Sequence, residues 1–287
     1  MAAQLFLNGL VTGLLLALPA LALTLIFGVL KFANFAVGAM LTLGAYAAWV
    51  ANVQLGLPLV AAAAIAAGTA ALVGVLADHL AFERLRERGS ITLMVASMGV
   101  SLVIENICRF CFGNASRGFD VAVSRPIRWN GLRINQEQIT TAITVVICLA
   151  AVDLLLRFSP LGRAMRAVAD NASLAAVRGV DRRVIARLTW ALSGALLGLA
   201  GVLAGLDRSI DPLVGWNYQI AIFAAAILGG LGSPLGAVAG ALVIGVAEEM
   251  SALVIPTNYR QVVSFTVILA LLLFRANGLF GAKAARK

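Results

Sequence analysis

Uncharged apolar runs dominate this chain of 287 residues. No Asp, Glu, Lys or Arg occurs in residues 1–30, 32–77 or 212–247. Because about 20 consecutive apolar residues are enough to span a bilayer, these runs predict one, two and about two membrane-spanning helices respectively. The first run lacks a basic amino-terminal region and is longer than the apolar core of a signal peptide, so we interpret it as a span.

Polar or helix-breaking residues divide the remaining chain into further candidate spans. We predict an all-α polytopic membrane protein with eight or nine transmembrane helices. Two stretches are ambiguous: 33–54 begins with Asn34 and is rich in glycine, and 213–231 carries a polar run that is compatible with a re-entrant or broken helix. The charged run at 83–89 and the loop at 113–136 are expected to separate spans. The candidate spans are 5–30, 33–54, 58–80, 91–112, 137–157, 188–206, 213–231, 235–254 and 261–279.

The composition supports a membrane protein and indicates its orientation. The chain is 61% hydrophobic and 12% charged, whereas soluble domains carry about 25% charged residues. The net charge of +9 does not indicate nucleic-acid binding, because the charges lie between spans and form no basic face on a soluble module. Lys and Arg accumulate in cytoplasmic loops. An outside amino terminus with nine crossings places 15 of the 22 basic residues inside, although the outside loop 113–136 keeps four arginines.

Sequence patterns for enzymatic chemistry are missing from the chain. The single histidine, His79, cannot build a histidine-based metal site, and none of the three lysines follows a G-x-x-x-x-G motif. The chain therefore has no P-loop, and we expect no catalytic activity, no cofactor and no metal. If transport is driven by ATP, the ATPase is another polypeptide. Cys108 and Cys111 form a C-x-x-C that we interpret as packing residues.

A basic segment between two apolar spans, residues 159–187 (the basic loop), carries the pattern of two short helices. Ser159 followed by proline suits a helix start, Asn171 suits a second start, and Gly179 suits the position after a helix end. Asp181 can cap the next span. An alanine-rich face with an arginine rim fits either insertion into a groove of a soluble partner or attachment to anionic lipid.

Glycines and carboxylates inside the spans are candidates for a translocation path. Gly229, Gly230 and Gly232 precede a proline and predict a helix break, which at membrane depth is tolerated where it lines a cavity or is buried in protein. Glu105 can pair with an arginine four residues later on the same helix face, and it is also kept as a path candidate. Glu248 faces either a cavity or the headgroup region.

The motifs together resemble a known family. The basic loop, with GRAMRAVAD at 162–170 and Gly179-Val180, resembles the cytoplasmic coupling loop of ABC-importer permeases. More narrowly, the ordered set resembles the permeases of the high-affinity branched-chain amino acid importers. Val37 departs from the histidine usual in the family, and no proline precedes the final Gly-Leu. The matching segments are NGLVTGLLLALPALALTLIFGVLKFANFAVG at the start, ALSGALLGLAGVLAG, LGGLGSPLGAVAGALVIGVAE, NYRQVVSF and GLFG.

The resemblance implies one transmembrane permease domain over 1–287 with the ABC-importer permease fold, located in the bacterial inner membrane. The loop 159–187 and the carboxyl terminus would be cytoplasmic. The implied partners are a second permease subunit, two cytoplasmic ATP-binding subunits, a periplasmic substrate-binding protein and membrane lipid. Asn34 and Gly38 would join the path candidates. The residues implied to couple to the ATPase are Arg163, Arg166, Ala169, Asp170 and Gly179.

The expected function is translocation of branched-chain or related apolar amino acids, driven by ATP hydrolysis in separate subunits. Two alternatives remain at this point. An ABC permease of the same family could carry amides or urea, and a stand-alone secondary transporter could carry a small polar metabolite. The second alternative predicts uptake by this chain alone, abolished by an uncoupler.

Overall fold

A computed structural model describes residues 2–121, 126–129, 132–254, 256, 259–274 and 278. Within these residues the protein is a helical bundle with one short hairpin. Six helices are long and apolar enough to span a membrane, and two shorter apolar helices accompany them. The helices are α1 (Ala2–Leu30), α2 (Val37–Trp49), α3 (Leu59–Ala77), α4 (Glu83–Leu85), α5 (Ser90–Phe112), α6 (Gln136–Phe158), α7 (Pro160–Asp170), α8 (Ala172–Val177), α9 (Arg182–Asp207), α10 (Val214–Gly229), α11 (Pro234–Ser251) and α12 (Arg260–Phe274).

The predicted all-α polytopic architecture is confirmed, with differences at particular elements. The charged run at 83–89 does not end the third span where it begins. A π-helical turn (Asp78–Phe82) connects α3 to α4, and the helical segment continues to Arg88. The long loop contains an antiparallel hairpin of β1 (Ile127–Trp129) and β2 (Leu132–Ile134). The last predicted span ends at 279, and residues 275–277 and 279 lie outside the described part.

The two ambiguous stretches resolve differently. The span predicted to begin at residue 33 begins at Val37 and continues through a π-helical turn to Gln54. The stretch 213–231 forms one uninterrupted helix, α10, of 16 residues. At 1.5 Å per residue α10 is about 24 Å long, which is shorter than the roughly 30 Å hydrocarbon core. The helix is therefore short rather than internally broken.

Glycine contacts build the centre of the bundle by bringing helix backbones together. Helix α1 lies antiparallel to α11, since Cβ atoms added at Gly9 and Gly13 would fall 2.7 Å from the Cα atoms of Val246 and Leu242. Helix α3 lies antiparallel to α9 in the same manner, with Gly194 against the Ala70 carbonyl oxygen. Close packing of small residues is how helices gain van der Waals contact in lipid.

The two ends of the bundle carry different structures. At one end, α7 lies beside the end of α1 and the turn between α10 and α11, and α8 connects α7 to α9; we call this the loop end. At the opposite end, the Gln4 side chain donates to the Arg133 carbonyl oxygen of the hairpin (2.8 Å). The Glu249 Cβ also lies at this end, beside Gly9. We call it the far end.

Candidate functional site

The basic loop has the helices and caps that the sequence predicts. The Ser159 hydroxyl accepts a hydrogen bond from the Gly162 amide (3.0 Å) and starts α7. The Asn171 and Asp181 side chains cap α8 and α9 in the same way, at 3.0 and 2.8 Å. Gly179 has a φ of +83°, a conformation that favours glycine and lets the chain leave α8. The loop is therefore an ordered pair of short helices.

Helix α7 is joined tightly to the end of α6. Gly162 packs against the last carbonyl groups of α6, and a Cβ added there would fall 2.6 Å from the Leu155 oxygen. The Arg166 guanidinium donates to the carbonyl oxygen of Leu156. Because the final carbonyls of a helix lack partners within it, this cation also satisfies the end of α6. A displacement of α7 is thus transmitted directly to α6.

The apolar stripe of α7 does not face outward. Met165 and Val168 are buried in the main core cluster of the bundle, so these two side chains serve packing within the chain. The exposed face of α7 instead carries Arg163, Arg166 and Asp170, with Ala169 half-buried beside them.

Helix α8 provides the exposed apolar surface of the basic loop. Leu174 is 61% exposed and Val177 is 83% exposed, and Gly179 follows them in the open. Neither side chain was singled out by the sequence analysis, because a six-residue helix has too few turns for a recognisable periodicity. The exposed face of the loop therefore combines arginines on α7 with two aliphatic side chains on α8.

Glu83 ties the charged end of the third span to the start of α9. Its carboxylate accepts from Arg187 (3.1 Å), lies 3.7 Å from the Arg183 guanidinium and contacts His79 (2.9 Å). Sequence reasoning missed this role, since the run at 83–89 was considered only as a separator between two spans. An acid at the start of an arginine-rich run was the signal available. The contact positions the base of the basic loop against a second helix.

A cavity of about 380 Å³ lies between the basic loop and the turn that joins α10 to α11. Its walls include Gly28 at the end of α1, Met165 and Arg166 of α7, and Gly232 of the turn. The Thr24 hydroxyl, also in its wall, is buried without a hydrogen-bond partner among the described residues. Three of the five coupling candidates, Arg166, Ala169 and Asp170, thus share one cavity with the path candidate Gly232.

Asn34 and Gly38 lie at the start of α2, where the chain meets the start of α10. The Gln219 side chain of α10 accepts from the Gly38 amide (3.2 Å) and donates to the Phe35 carbonyl oxygen (2.8 Å). The Thr42 hydroxyl oxygen accepts a hydrogen bond from the Gly215 amide (3.0 Å). Asn34 is fully buried, and its Oδ1 accepts a hydrogen bond from the Ala36 amide.

Gly38 and Gly215 hold the two helix starts in direct backbone contact. A Cβ added at Gly38 would fall 2.6 Å from the Gly215 oxygen, and one added at Gly215 would overlap the Gly38 carbonyl group. The sequence analysis noted the polar run that contains Gln219 but not Gly215. Contact between positions so far apart in sequence has no local signal. The two amino-terminal helix ends therefore meet inside the bundle.

The glycines at the other end of α10 have two separate roles. Gly229 packs against α11, with an added Cβ 2.6 Å from the Ala237 amide nitrogen. Gly230 and Gly232 have φ values of +96° and +94° and form the turn, and an added Cβ at Gly232 would meet no atom within 4 Å. The expected helix break is present between Gly229 and Pro234. Its tight packing comes from Gly229, whereas Gly232 serves the backbone conformation.

The two carboxylate candidates occupy different surroundings. Glu105 pairs with Arg109 on the same helix (2.8 Å), as its spacing predicts, and shares no hydrogen bond with the other path candidates in the described part of the chain. Glu248 lines a cavity of about 580 Å³ at the far end, where it accepts from the Ser264 hydroxyl. The cavity alternative for Glu248 is therefore the one that the structure supports.

These features define a polytopic membrane protein, and the comparisons with known proteins agree. Residues 5–272 match the family described as the permease component of the branched-chain amino acid transport system. The chain belongs to this family. It is a permease subunit of an ABC importer, a multi-pass protein of the inner membrane.

Curated relatives cover nearly the whole chain. It is similar to the high-affinity branched-chain amino acid transport system permease protein BraD of Pseudomonas aeruginosa, with 30% identity over 99% of this chain and 97% of the relative. It is also similar to the corresponding LivH of Escherichia coli, with 29% identity over 98% and 96%. The ribose import permease protein RbsC of Escherichia coli is 26% identical over 88% and 79%. No solved structure matches the chain.

Proposed function

We propose that this subunit translocates branched-chain amino acids, and that a cytoplasmic ATP-binding subunit drives it through the basic loop. The observation that carries the proposal is the exposed face of α7, because Arg166, Ala169 and Asp170 line the cavity that reaches the α10–α11 turn. The substrate assignment is supported by the relatives BraD and LivH, whose names state branched-chain amino acid transport.

The proposed docking surface consists of Leu174 and Val177 as apolar anchors with Arg163 and Arg166 beside them. Apolar side chains in the centre and charges at the rim are the usual arrangement of a protein interface. Leu174 and Val177 gain stabilisation only when a partner covers them, since each is mostly exposed here. The alternative of lipid attachment would also cover them, and the experiment below separates the two.

The orientation follows from the same surface. If the ATP-binding subunits dock on the loop end, this end is cytoplasmic and the far end faces the periplasm. The charge distribution supports this orientation, because seven arginines lie between Arg157 and Arg187. A substrate-binding protein would then deliver its cargo at the far end, and a second permease subunit would complete the path.

The test uses the complete importer in proteoliposomes, loaded with ATP inside and supplied with binding protein and leucine outside. Arg163→Glu should lower leucine uptake by about tenfold or more, the loss expected when an interface charge pair becomes a like-charge contact. It should leave unfolding unchanged, because Arg163 is exposed and its side chain makes no hydrogen bond with the described residues. Leu174→Ser combined with Val177→Ser should reduce co-purification of the ATP-binding subunit.

Arg133→Glu is the matched control, since it reverses an exposed arginine at the far end. Normal uptake by the Arg163→Glu importer would refute docking through α7. Full retention of the ATP-binding subunit by the Leu174→Ser, Val177→Ser variant would refute docking through α8 and favour lipid attachment. Uptake of urea or ribose instead of leucine by the unmodified importer would overturn the substrate assignment while leaving the coupling scheme intact.

A further inference from the structure

The far-end cavity lies among four helices that converge near the start of α1. It has a volume of about 580 Å³ and is lined by α1, α10, α11, α12 and the residue that follows α9. Under the proposed orientation it opens on the side where the substrate arrives, so its chemistry bears on what the permease accepts. The lining residues used below are Thr12, Arg208, Tyr218, Glu248, Glu249 and Arg260.

Charges of both signs face this cavity. Glu249 and Arg260 form an ion pair across α11 and α12, and the Glu249 side chain is only 8% exposed. Arg208 lies above the Tyr218 ring, with 5.6 Å between its guanidinium carbon and the ring centroid, and 3.5 Å from the Asp207 carboxylate. A cavity with two arginines and two glutamates offers no net attraction to an ion of one sign.

Glu248 is the acid in the cavity that has no cation within ion-pair distance among the described residues. Among the described residues, its carboxylate accepts one hydrogen bond, which the Ser264 hydroxyl donates to one of the two oxygens. An ionised carboxylate can accept about four hydrogen bonds, so most of its capacity is unused. The carboxylate is therefore available to an ammonium group.

Two arginines that line the cavity, Arg208 and Arg260, can also donate hydrogen bonds to a ligand. The Arg260 side chain lines the cavity and is 27% exposed, and one of its terminal nitrogens pairs with Glu249. Arg208 has one carboxylate at 3.5 Å, whereas a guanidinium has five N–H donors in all. Guanidinium groups are suited to carboxylates because their paired donors match the two oxygens. These donors fit the carboxylate of a small ligand.

We infer that the far-end cavity is a binding site for the zwitterionic head of an α-amino acid, with Glu248 binding the ammonium group and Arg208 and Arg260 binding the carboxylate. This inference rests on the proposed function and adds to it the site at which the permease recognises the common part of its substrates. The Tyr218 ring and the Thr12 side chain line the space beside the charged groups. A sugar or an uncharged amide would leave both sets of charges without their counterpart.

Uptake by the complete importer tests the role of Glu248. With saturating binding protein and leucine, Glu248→Gln should lower the maximal uptake rate by about tenfold or more, since a charge-assisted hydrogen bond is lost. Glu137→Gln, an exposed acid at the same end of the bundle, is the control. An uptake rate within about twofold of the control would overturn the inference, because a lost charge-assisted contact costs more than this.

Modification of a cysteine in the cavity provides a second measurement, which does not depend on the folding of the Glu248 variant. In the importer carrying Thr12→Cys, L-leucine should slow thiol modification several-fold. Leucinol, which lacks the carboxylate, and 4-methylpentanoate, which lacks the ammonium group, should give no protection. The chain without the new cysteine supplies the background rate.

Equal protection by all three compounds, or none by leucine, would overturn the inference. The proposed function fails separately, when the unmodified importer takes up no amino acid. An importer that transports leucine but shows no protection would therefore refute the zwitterion site alone.

Discussion

Replacing Gly38 with alanine tests the contact between the starts of α2 and α10. The new Cβ would lie 2.6 Å from the Gly215 oxygen, whereas ordinary contact begins at 3.4 Å. The two backbones must therefore separate by about 0.8 Å, and overpacking of this kind costs about 1–3 kcal/mol. The Gln219 amide must also move, since its Oε1 occupies the same space.

Movement of Gln219 adds to the cost because two hydrogen bonds depend on it, one buried and one partly buried. These are the bonds from the Gly38 amide at 3.2 Å and to the Phe35 carbonyl oxygen at 2.8 Å. A buried polar group left without its partner costs about 1–3 kcal/mol. We expect Gly38→Ala to destabilise the chain by about 2–6 kcal/mol, the combined range of overpacking and lost hydrogen bonding.

Thermal unfolding of the detergent-solubilised importer, followed by size-exclusion chromatography, measures this loss, and leucine uptake measures its effect on function. Gly68→Ala is the matched control, since Gly68 lies in α3 and an added Cβ would meet no atom within 4 Å. The control should unfold at the wild-type temperature or above it, because alanine favours a helix by about 1 kcal/mol over glycine. If both variants unfold like the wild type, the close approach of the two helix starts is refuted.

Three further substitutions test other elements. Arg86→Met should destabilise the chain by about 3–5 kcal/mol, because it leaves the fully buried Asp78 without its cation. Adding Asp78→Leu should recover most of this loss, measured by thermal unfolding. A double variant that is no more stable than the single one would contradict this reasoning. Gly232→Ala should destabilise the chain by only about 1–2 kcal/mol, because of the positive φ at this position. If Gly232→Ala unfolded at a lower temperature than Gly229→Ala, the assignment of tight packing to Gly229 would be contradicted. Ser159→Ala should cost about 1 kcal/mol as a lost helix cap and increase proteolysis of the basic loop, while unchanged cleavage would argue against the cap.

Local features of this chain could be predicted from its sequence because they depend on neighbouring residues. Ser159 and Asn171 cap helices as their side-chain types and positions indicate. Glu105 and Asp153 each pair with an arginine four residues later, at 2.8 Å in both cases. Long uncharged runs likewise predicted the spans, since bilayer thickness fixes the length of an apolar helix. In each case the determining contact lies within about one helical turn.

Long-range contacts could not be predicted in the same way. Gly38 and Gln219 are 181 positions apart, and nothing near either residue specifies the other. The outward orientation of Leu174 and the inward orientation of Met165 depend on which neighbours cover α7 and α8. Glu83 was misread because its arginine partners lie on α9 and not within its own charged run. The sites of this permease are assembled mainly from such distant partners.

The packing of α1 along α11 connects the two ends of the bundle. Gly9 and Gly13 hold the helices in backbone contact near the far end, and Gly28 reaches the Gly232 turn at the loop end, 3.9 Å from an added Cβ to the Gly232 Cα. Closely packed helices move as one body more readily than they slide, because interdigitated backbones must separate first. A displacement of α7 at the loop-end cavity would therefore shift α1 and α11 together and change the position of Glu248 in the far-end cavity. Spin labels placed along α1 and α11 should keep their separation between the ATP-bound and nucleotide-free importer while their distance to α12 changes; a change within the α1–α11 pair would contradict this coupling.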